Sequence, residues 1–569
     1  MKTSLRNPIT VPIFIALLIF LLVSFKGSGV GEESGSLCRE IERRLVTADG
    51  SPPVIQGKRL QTDPEVLRCF YAWRLYQPLW AGGGRLLPQV SELLATLNRA
   101  AEEGLRPEEY QRVSEGFWQS IDAFRQEGTE VPEELLADLE LLLTDAFVSY
   151  GHDLSYGRVN TEWGCDADCL IQRQECLLGS LEEAFDGGGF AEWLRDLAPR
   201  DPAYGKLKER LARHRRIAEQ GGWPTVAPDG NLKRGRRHAV VQTLRERLRL
   251  SGDLAGETLG NDGMLFDRAV AAGLRRFQKR HGLKPRGALN SETLQHLNLP
   301  VEDEIRLIQL NLERLRWLPR DMGPVRVMIN IPDYSLALIE GQRSVLSMKV
   351  IIGRPLWNTP SFSAQMKYLE TNPVWRIPPS IVKEEIVPAI LRDPDYITRK
   401  NLKFFVGRRN GPQEVSPDKI DWTKIQPESF PYQIIQAAGP ANPMGRVKFM
   451  FPNEENVYLH DTPSTSLFKR QKRIFSHGCI RIEKPIDLAA YILERDGQWS
   501  REKLMAEINK GKTRKIILRE PVNVHIVYFT AWVDDDGVLQ TRPDVYRSDW
   551  ILDLALRERE SLLFDPPFD

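Results

Sequence analysis

The hydrophobic period changes once along this chain, and that change decides what it can fold into. Up to about residue 222, apolar residues recur at spacings of three and four, as in "PQVSELLATLNRAAEEGL" and "PEELLADLELLLTDAFVSYGHDL". That spacing buries one stripe of a helix. Each run begins near a proline, which suits a first helical turn because its missing N–H would have had no partner there. Glycine-rich breaks such as "AGGG" and "DGGG" separate the runs. After Glu302, "VRVMINIPDYSLALIEGQRSVLSMKVIIG" alternates apolar and polar residues with turn residues between, the pattern of strands and hairpins. Strand-like runs return at "VKFMF", "NVYLHD" and "VNVHIVYFTAWV", and "PIDLAAYIL" reads as a helix packed on the sheet. Between them, Ile377 to Leu402 is more helical and interrupts the sheet, and such an insertion is a natural lid over a cleft. An α+β multidomain chain is therefore expected, and 569 residues suffice for more than one core.

Between the two halves, "GGWPTVAPDG" (Gly221 to Gly230) is a linker by composition. Three short helices follow, with Leu274, Phe277, Leu283, Leu289, Leu294 and Leu297 as one small core and Gly282 and Gly287 at the turns. Through "LRRFQKRHGL" and "RGALNSETLQHLN" this run resembles the peptidoglycan-binding module of bacterial wall enzymes, over 237–299. That family's usual Asp-Gly before the last helix reads Arg286-Gly287 here.

The formal net charge of +1 argues against a nucleic-acid binder that works by bulk electrostatics, and "KRGRRH" reads as a solvated face. Lys2 and Arg6 precede the apolar run Val11 to Phe25, which fits a secretory signal. The run is short for a spanning helix, which needs about 20 residues. No clear small-residue cleavage site follows it, so 1–30 is either a signal peptide or an uncleaved inner-membrane anchor through residues 11–25. The body of the protein is expected outside the cytoplasmic membrane, where disulfides are permitted. Of Cys38, Cys69, Cys165, Cys169, Cys176 and Cys479, at least one pair is expected to bridge, Cys165 with Cys176 first and Cys38 with Cys69 second. A zinc site lacks a C-x-x-C pair and a nearby further ligand. Cys479 lies in a different context and is expected to be free.

That context is "RIFSHGCIRIEKP" (Arg473 to Pro485), which presses Ser476, His477, Gly478, Cys479 and Arg481 into one bend. A cysteine attacks only as thiolate and needs a base or a positive environment. His477 is close in sequence, and His460, in "NVYLHDTPS", ends a predicted strand. Spacing alone does not choose between them, since a bend at Gly478 changes which side each residue faces. Amides at Gly478 and Cys479 would suit an oxyanion, and Arg481 the bend or a carboxylate. A buried structural cysteine beside an incidental histidine is the competing reading.

The segment "HDTPSTSLFKRQKRIFSHGCIRIEKP" resembles the signature of the L,D-transpeptidase catalytic (YkuD) domain. "NPVWRIPPSI" and "PMGRVKFMF" are similar to that domain's strands, and "FYAWRLYQPLW", "LLLTDAFVSYGHDLSYGRV", "VYFTAWVDDDG" and "DVYRSDW" extend the resemblance to large, multidomain Gram-negative members. The resemblance implies a helical scaffold over 36–222, the wall-binding module over 237–299, a β-rich catalytic domain over 303–515 with a helical lid at about 377–430, and a segment 516–569 completing the scaffold and catalytic unit. It implies Cys479 as nucleophile, His460 as general base, His477 shaping the site, Gly478 and Cys479 amides receiving the oxyanion, Ser476 and Arg481 supporting the turn, and Tyr458, Trp375 and the lid lining the substrate groove. The implied reaction is a 3→3 cross-link between peptidoglycan stem peptides through a cysteine thioester, with D-alanine released, no metal and no organic cofactor. Carbapenems are the implied covalent inhibitors, the implied location is the periplasm, and no nucleic acid is involved. An L,D-carboxypeptidase or other hydrolase on the same site, and a non-catalytic wall-binding scaffold, are the rivals. The cysteine cluster at 165–176 has no counterpart in the resemblance.

Overall fold

The computed structural model describes every residue except 1–33, 47–52, 83–84, 160–166, 188, 229–231, 233, 255–261, 408–411, 498 and 565–569. The expected signal or anchor at 11–25 and Cys165 lie outside the described residues. Among the described residues, no helix is long and apolar enough to cross a membrane. The chain forms two compact units, one of 1–95, 110–149 and 171–190, the other of 96–109, 150–170 and 191–569. The helical run 36–222 is thus shared between two units rather than closed as one body.

The first unit is helical, and two buried acids organise it. Both come from the helix Glu133–Tyr156. Glu140 accepts the Leu79 and Trp80 amides at 2.6 and 2.9 Å and the Tyr71 hydroxyl at 2.8 Å. Asp145 accepts the Gln61 and Thr62 amides at 2.8 and 2.7 Å. A buried carboxylate is tolerated only when hydrogen-bonded. Here each one satisfies consecutive backbone N–H groups of a turn that has no helix or sheet partner for them. Burial still raises the Glu140 carboxyl above the ordinary range, against the pull of those amides.

The cysteine pairs differ from expectation. Cys38, Cys69 and Cys176 are free thiols, Cys169 is disulfide-bonded, and Cys479 is free. Neither Cys165–Cys176 nor Cys38–Cys69 forms. The reason for the first lies in the helix Ala167–Gly187. A rise of 1.5 Å per residue carries Cys176 about 13 Å along the axis from the helix start, beyond the ~7 Å that a disulfide spans between Cα atoms.

In the second unit, helices Val240–Leu250, Arg268–Arg280 and Ser291–Leu297 close a separate small core around Leu244, Leu248, Leu274, Phe277 and Leu297. Gly287 turns at φ +67°, a left-handed value that favours glycine. The module is tied to the rest of its unit where Arg542 donates to Arg280 O at 3.0 Å and His281 Nδ1 meets Thr541 Oγ1 at 2.6 Å. The helix Val301–Arg316 follows and packs Ile308, Leu312 and Leu315 against Tyr204, Leu207 and Leu211 of the helix Pro202–Glu219. The boundary expected at 303 therefore falls inside a helix, and the sheet begins only at Val325.

That sheet has nine strands: β1 (Val325–Asn330), β2 (Ser335–Glu340), β3 (Arg343–Gly353), β4 (Phe362–Thr371), β5 (Val447–Met450), β6 (Leu459–His460), β7 (Ile474–Ser476), β8 (Ile480–Ile482) and β9 (Arg514–Val527). Their spatial order is β7-β3-β8-β6-β5-β4-β9-β1-β2, and β3 also pairs with β2, so the sheet closes on itself. Its interior is filled by Val327, Ile329, Leu369, Phe449, Leu459, Ile480 and Ile526, with Leu488, Ile492 and Leu504 from the helices Pro485–Arg495 and Arg501–Asn509. The expected boundary at 515/516 cuts β9, which pairs with both β4 and β1. The last segment thus begins inside the sheet, through Val527, before its own short hairpin and the helix Ser548–Phe564. The insertion between β4 and β5 is only partly helical. It also carries the strands Trp375–Arg376, Leu402–Val406, Gln413–Val415 and Gln433–Gln436 in a second small sheet, with its own core of Ile381, Ile386, Val387, Ile390, Phe404 and Ile434.

Gly353 ends β3 where a Cβ would overlap Trp357 O and lie 3.1 Å from Gly478 Cα. Gly353→Ala should therefore destabilise the sheet unit by about 1–3 kcal/mol, the usual range for overpacking. Gly116→Ala, where a Cβ meets nothing within 4 Å, should not. Thermal unfolding of the two variants checks this, and equal midpoints would refute it.

Candidate active site

One strand pairing assembles the site. β6 and β8 run parallel with Leu459 opposite Ile480 and His460 opposite Arg481, and Ile480 N–H donates to Tyr458 O at 3.1 Å. Side chains alternate across a sheet. Leu459, Ile480 and Ile482 consequently enter the core, while Tyr458, His460, Cys479 and Arg481 line a common groove. β5 adds Lys448 opposite His460, and β4 adds Glu370 opposite Lys448. A charged row thus crosses the sheet beside the thiol.

The Ser-His-Gly-Cys bend is held from below. Gly478 adopts φ +108°, its N–H donates to Ser476 Oγ at 3.2 Å, and its carbonyl accepts from Thr359 Oγ1 at 2.7 Å. Thr359 Oγ1 in turn accepts the Gly353 amide at 3.0 Å. The Gly478 amide, expected to face an oxyanion, is engaged here by Ser476. The Cys479 amide makes no hydrogen bond among the described residues.

His460 is buried, with Nδ1 2.6 Å from Asp461 O and the Pro443 carbonyl also bordering the ring. A carbonyl only accepts, so Nδ1 carries the proton and Nε2 is left as the acceptor. Asp461 is itself fixed, its carboxylate taking the Arg446 and Thr462 amides at 2.8 and 2.7 Å and its N–H donating to Val447 O at 2.9 Å. Burial pushes the imidazole down to about 3, and the neighbouring Arg481 and Lys448 charges add to the shift. The Cys479 thiol is pushed up from its ordinary value by burial, against the opposing pull of the Tyr458 amide and hydroxyl, Lys448 and Arg481. Burial thus disfavours the charged form of both groups. Arg481 Nε is buried without a hydrogen-bond partner among the described residues.

The groove encloses about 340 Å³, with Trp375, Ile381, Glu385, Tyr396 and Lys400 of the insertion along one wall. His477 turns toward that wall. Its Nε2 lies 2.9 Å from Glu385 Oε1 and 2.5 Å from Arg354 Nη2, and its ring meets Trp357 edge-on at 4.9 Å between centroids. Glu385 sits in a π-helical turn, Val382–Ile386, a local irregularity common at functional sites. The structure thus brings Cys479, His460, His477, Ser476, Arg481, Tyr458 and Trp375 to one groove. Sequence reasoning missed Arg354, Trp357, Thr359, Glu385, Lys448 and Asp461. The Gly-Arg-Pro turn after β3 was a signal for the first three, but nothing in the spacing tied it to the distant bend.

Three segments of the chain match known family models. Residues 324–517 fit the model of the L,D-transpeptidase catalytic domain, 237–297 that of a "Putative peptidoglycan binding domain", and 65–211 that of a scaffold domain. The chain therefore carries an L,D-transpeptidase catalytic domain joined to peptidoglycan-binding and scaffold domains. A curated relative from Haemophilus influenzae, named "Putative L,D-transpeptidase", is 32% identical over 272 residues. The match spans 47% of this chain and 54% of that relative, about half its length. Among solved structures, an L,D-transpeptidase from Mycobacterium smegmatis aligns at 12% identity over 36% of this chain and 58% of its own, with a TM-score of 0.17. One from Xylanimonas cellulosilytica aligns at 14% over 53% and 100%, with a TM-score of 0.15. At those scores the superpositions add nothing to the fold described above.

A thiol held neutral in this way should alkylate slowly. With iodoacetamide, the Cys479 rate of the free protein should keep rising through pH 9, because the thiolate forms only above the ordinary thiol value. A plateau reached by pH 7 would show a preformed thiolate–imidazolium pair instead.

Proposed function

We propose that this protein is a cysteine-dependent L,D-transpeptidase that forms 3→3 cross-links in peptidoglycan. The observation that carries the reading is the parallel register of β6 and β8, which sets His460 and Cys479 on one groove inside a segment matching the L,D-transpeptidase catalytic domain. The donor is a tetrapeptide stem, and the bond attacked joins the L-centre of its diaminopimelate to D-alanine. His460 Nε2 takes the thiol proton as the sulfur bonds to the carbonyl carbon. The charges then form together, so each offsets the burial that disfavours the other alone. The Cys479 amide receives the oxyanion, since the Gly478 amide is already bound to Ser476. Collapse breaks the C–N bond, the imidazolium returns its proton to the departing D-alanine amine, and a thioester remains on Cys479. The side-chain amine of a second stem attacks the thioester, loses a proton to His460 and regenerates the thiol. Arg481, with an unused buried Nε–H donor, suits a carboxylate of the stem, and Tyr458 and Trp375 line the path.

The thiol carries the covalent step, so the chemistry calls for no metal or organic cofactor. The same acylation makes carbapenems covalent inhibitors. The work lies outside the cytoplasmic membrane, on the wall that the 237–299 module would engage.

Products from a disaccharide-tetrapeptide, followed by mass spectrometry, test the reading. The wild type should yield a 3→3 dimer and free D-alanine. Cys479→Ala should yield neither. His460→Ala should lose more acylation rate than His477→Ala, by about 10²-fold or more for a general base. A tripeptide without dimer would make the enzyme a hydrolase. Unchanged substrate with folded wild type would leave only wall binding.

A further inference from the structure

Lys448 has no part in the chemistry so far. Its ammonium is half-buried in mid-sheet and makes no hydrogen bond or ion pair among the described residues. Its one close contact is the face of the Tyr458 ring, 3.8 Å from Nζ to the centroid. That ring and the Cys479 thiol line the same groove. Lys448 does not line the groove, so it does not touch a bound stem.

We propose that Lys448 is a positioning residue for the nucleophile, acting through the Tyr458 ring to stabilise the Cys479 thiolate. A cation over the ring face draws electron density from it. The phenol O–H is then more acidic and a stronger donor to sulfur, and a hydrogen bond to an ionised acceptor is about twice as strong as one to a neutral acceptor. The effect is therefore larger for thiolate than for thiol, which is what lowers a barrier rather than merely holding a ground state. The register supports the assignment. Lys448 is opposite His460, so the same residue that favours thiolate also disfavours a resting imidazolium. It keeps the base unprotonated until the sulfur gives up its proton. Burial lowers the lysine from its ordinary value, while Glu370 and the thiolate hold the proton on.

Other groups face the thiol or the lysine: Tyr458 and His460 on β6, Arg481 after the bend, His477 within it, Glu370 on β4, and Glu385, Tyr396, Lys400 and Arg376 from the insertion. Arg481 is the rival source of positive field, and it reaches the sulfur without Tyr458. The test must separate the two.

The inference rests on Cys479 as the reactive thiol, and iodoacetamide alkylation of the full chain as a function of pH reads it without any wall substrate. Lys448→Met should move the alkylation profile to higher pH and lower the rate at pH 8 by about tenfold, one pKa unit. Lys448→Arg should restore most of it. Tyr458→Phe should slow alkylation, and adding Lys448→Met to it should change little further. An unshifted profile in a folded Lys448→Met protein overturns the inference. An equal shift in the presence and absence of the Tyr458 hydroxyl overturns the relay and leaves a direct field like that of Arg481. Loss of the near-UV circular dichroism signal in both lysine variants, methionine and arginine alike, overturns it in favour of a packing role. A shifted profile in a protein that makes no 3→3 dimer keeps the inference and removes the proposed function.

Discussion

The whole catalytic arrangement depends on one parallel strand pair. β6 and β8 are each only two or three residues long, and the register between them fixes four functional side chains at once. A slip of one residue would turn His460 and Cys479 to opposite faces. Short parallel strands hold register weakly by their own hydrogen bonds, so it must be enforced from outside. The enforcement is apolar: Leu459, Ile480 and Ile482 are fully buried in the closed sheet, and exposing any of them would cost about 1.5–3 kcal/mol. The site is therefore as stable as the core behind it.

Burial also sets the resting charge state. Burial disfavours both thiolate and imidazolium, while the Arg481 and Lys448 charges favour the first and oppose the second. His477 belongs to a different task. Its contacts run to Arg354 and to Glu385 of the insertion, so it joins the bend to the wall opposite the nucleophile.

Periodicity disclosed the layers of this fold, and the Ser-His-Gly-Cys bend disclosed the site, because both are written in contiguous residues. The helices of the small module and the strands at 325–353 follow directly from apolar spacing. Where the reading went astray, the missing information was long-range. The strand β9 spans an expected boundary because its partners β4 and β1 lie more than a hundred residues upstream. The boundary expected at 303 cuts the helix Val301–Arg316, since the strand pattern that suggests it begins only at Val325. The insertion looked helical in its first part, and its strands are two to five residues long, too short to show alternation. A bridge does form at Cys169, but the expected Cys165–Cys176 pair does not, because Cys176 lies well inside the helix Ala167–Gly187. Lys448 and Thr359 matter only through neighbours that folding supplies.

The insertion with a core of its own has an evolutionary meaning. Its apolar residues, from Ile377 to Ile434, pack on one another, whereas the floor of the groove is packed into the closed sheet. Two halves of one binding site thus answer to different packing constraints. Substitutions in the insertion can therefore remodel one wall of the groove without disturbing the packing that holds the β6–β8 register, so the two sides are free to diverge at different rates.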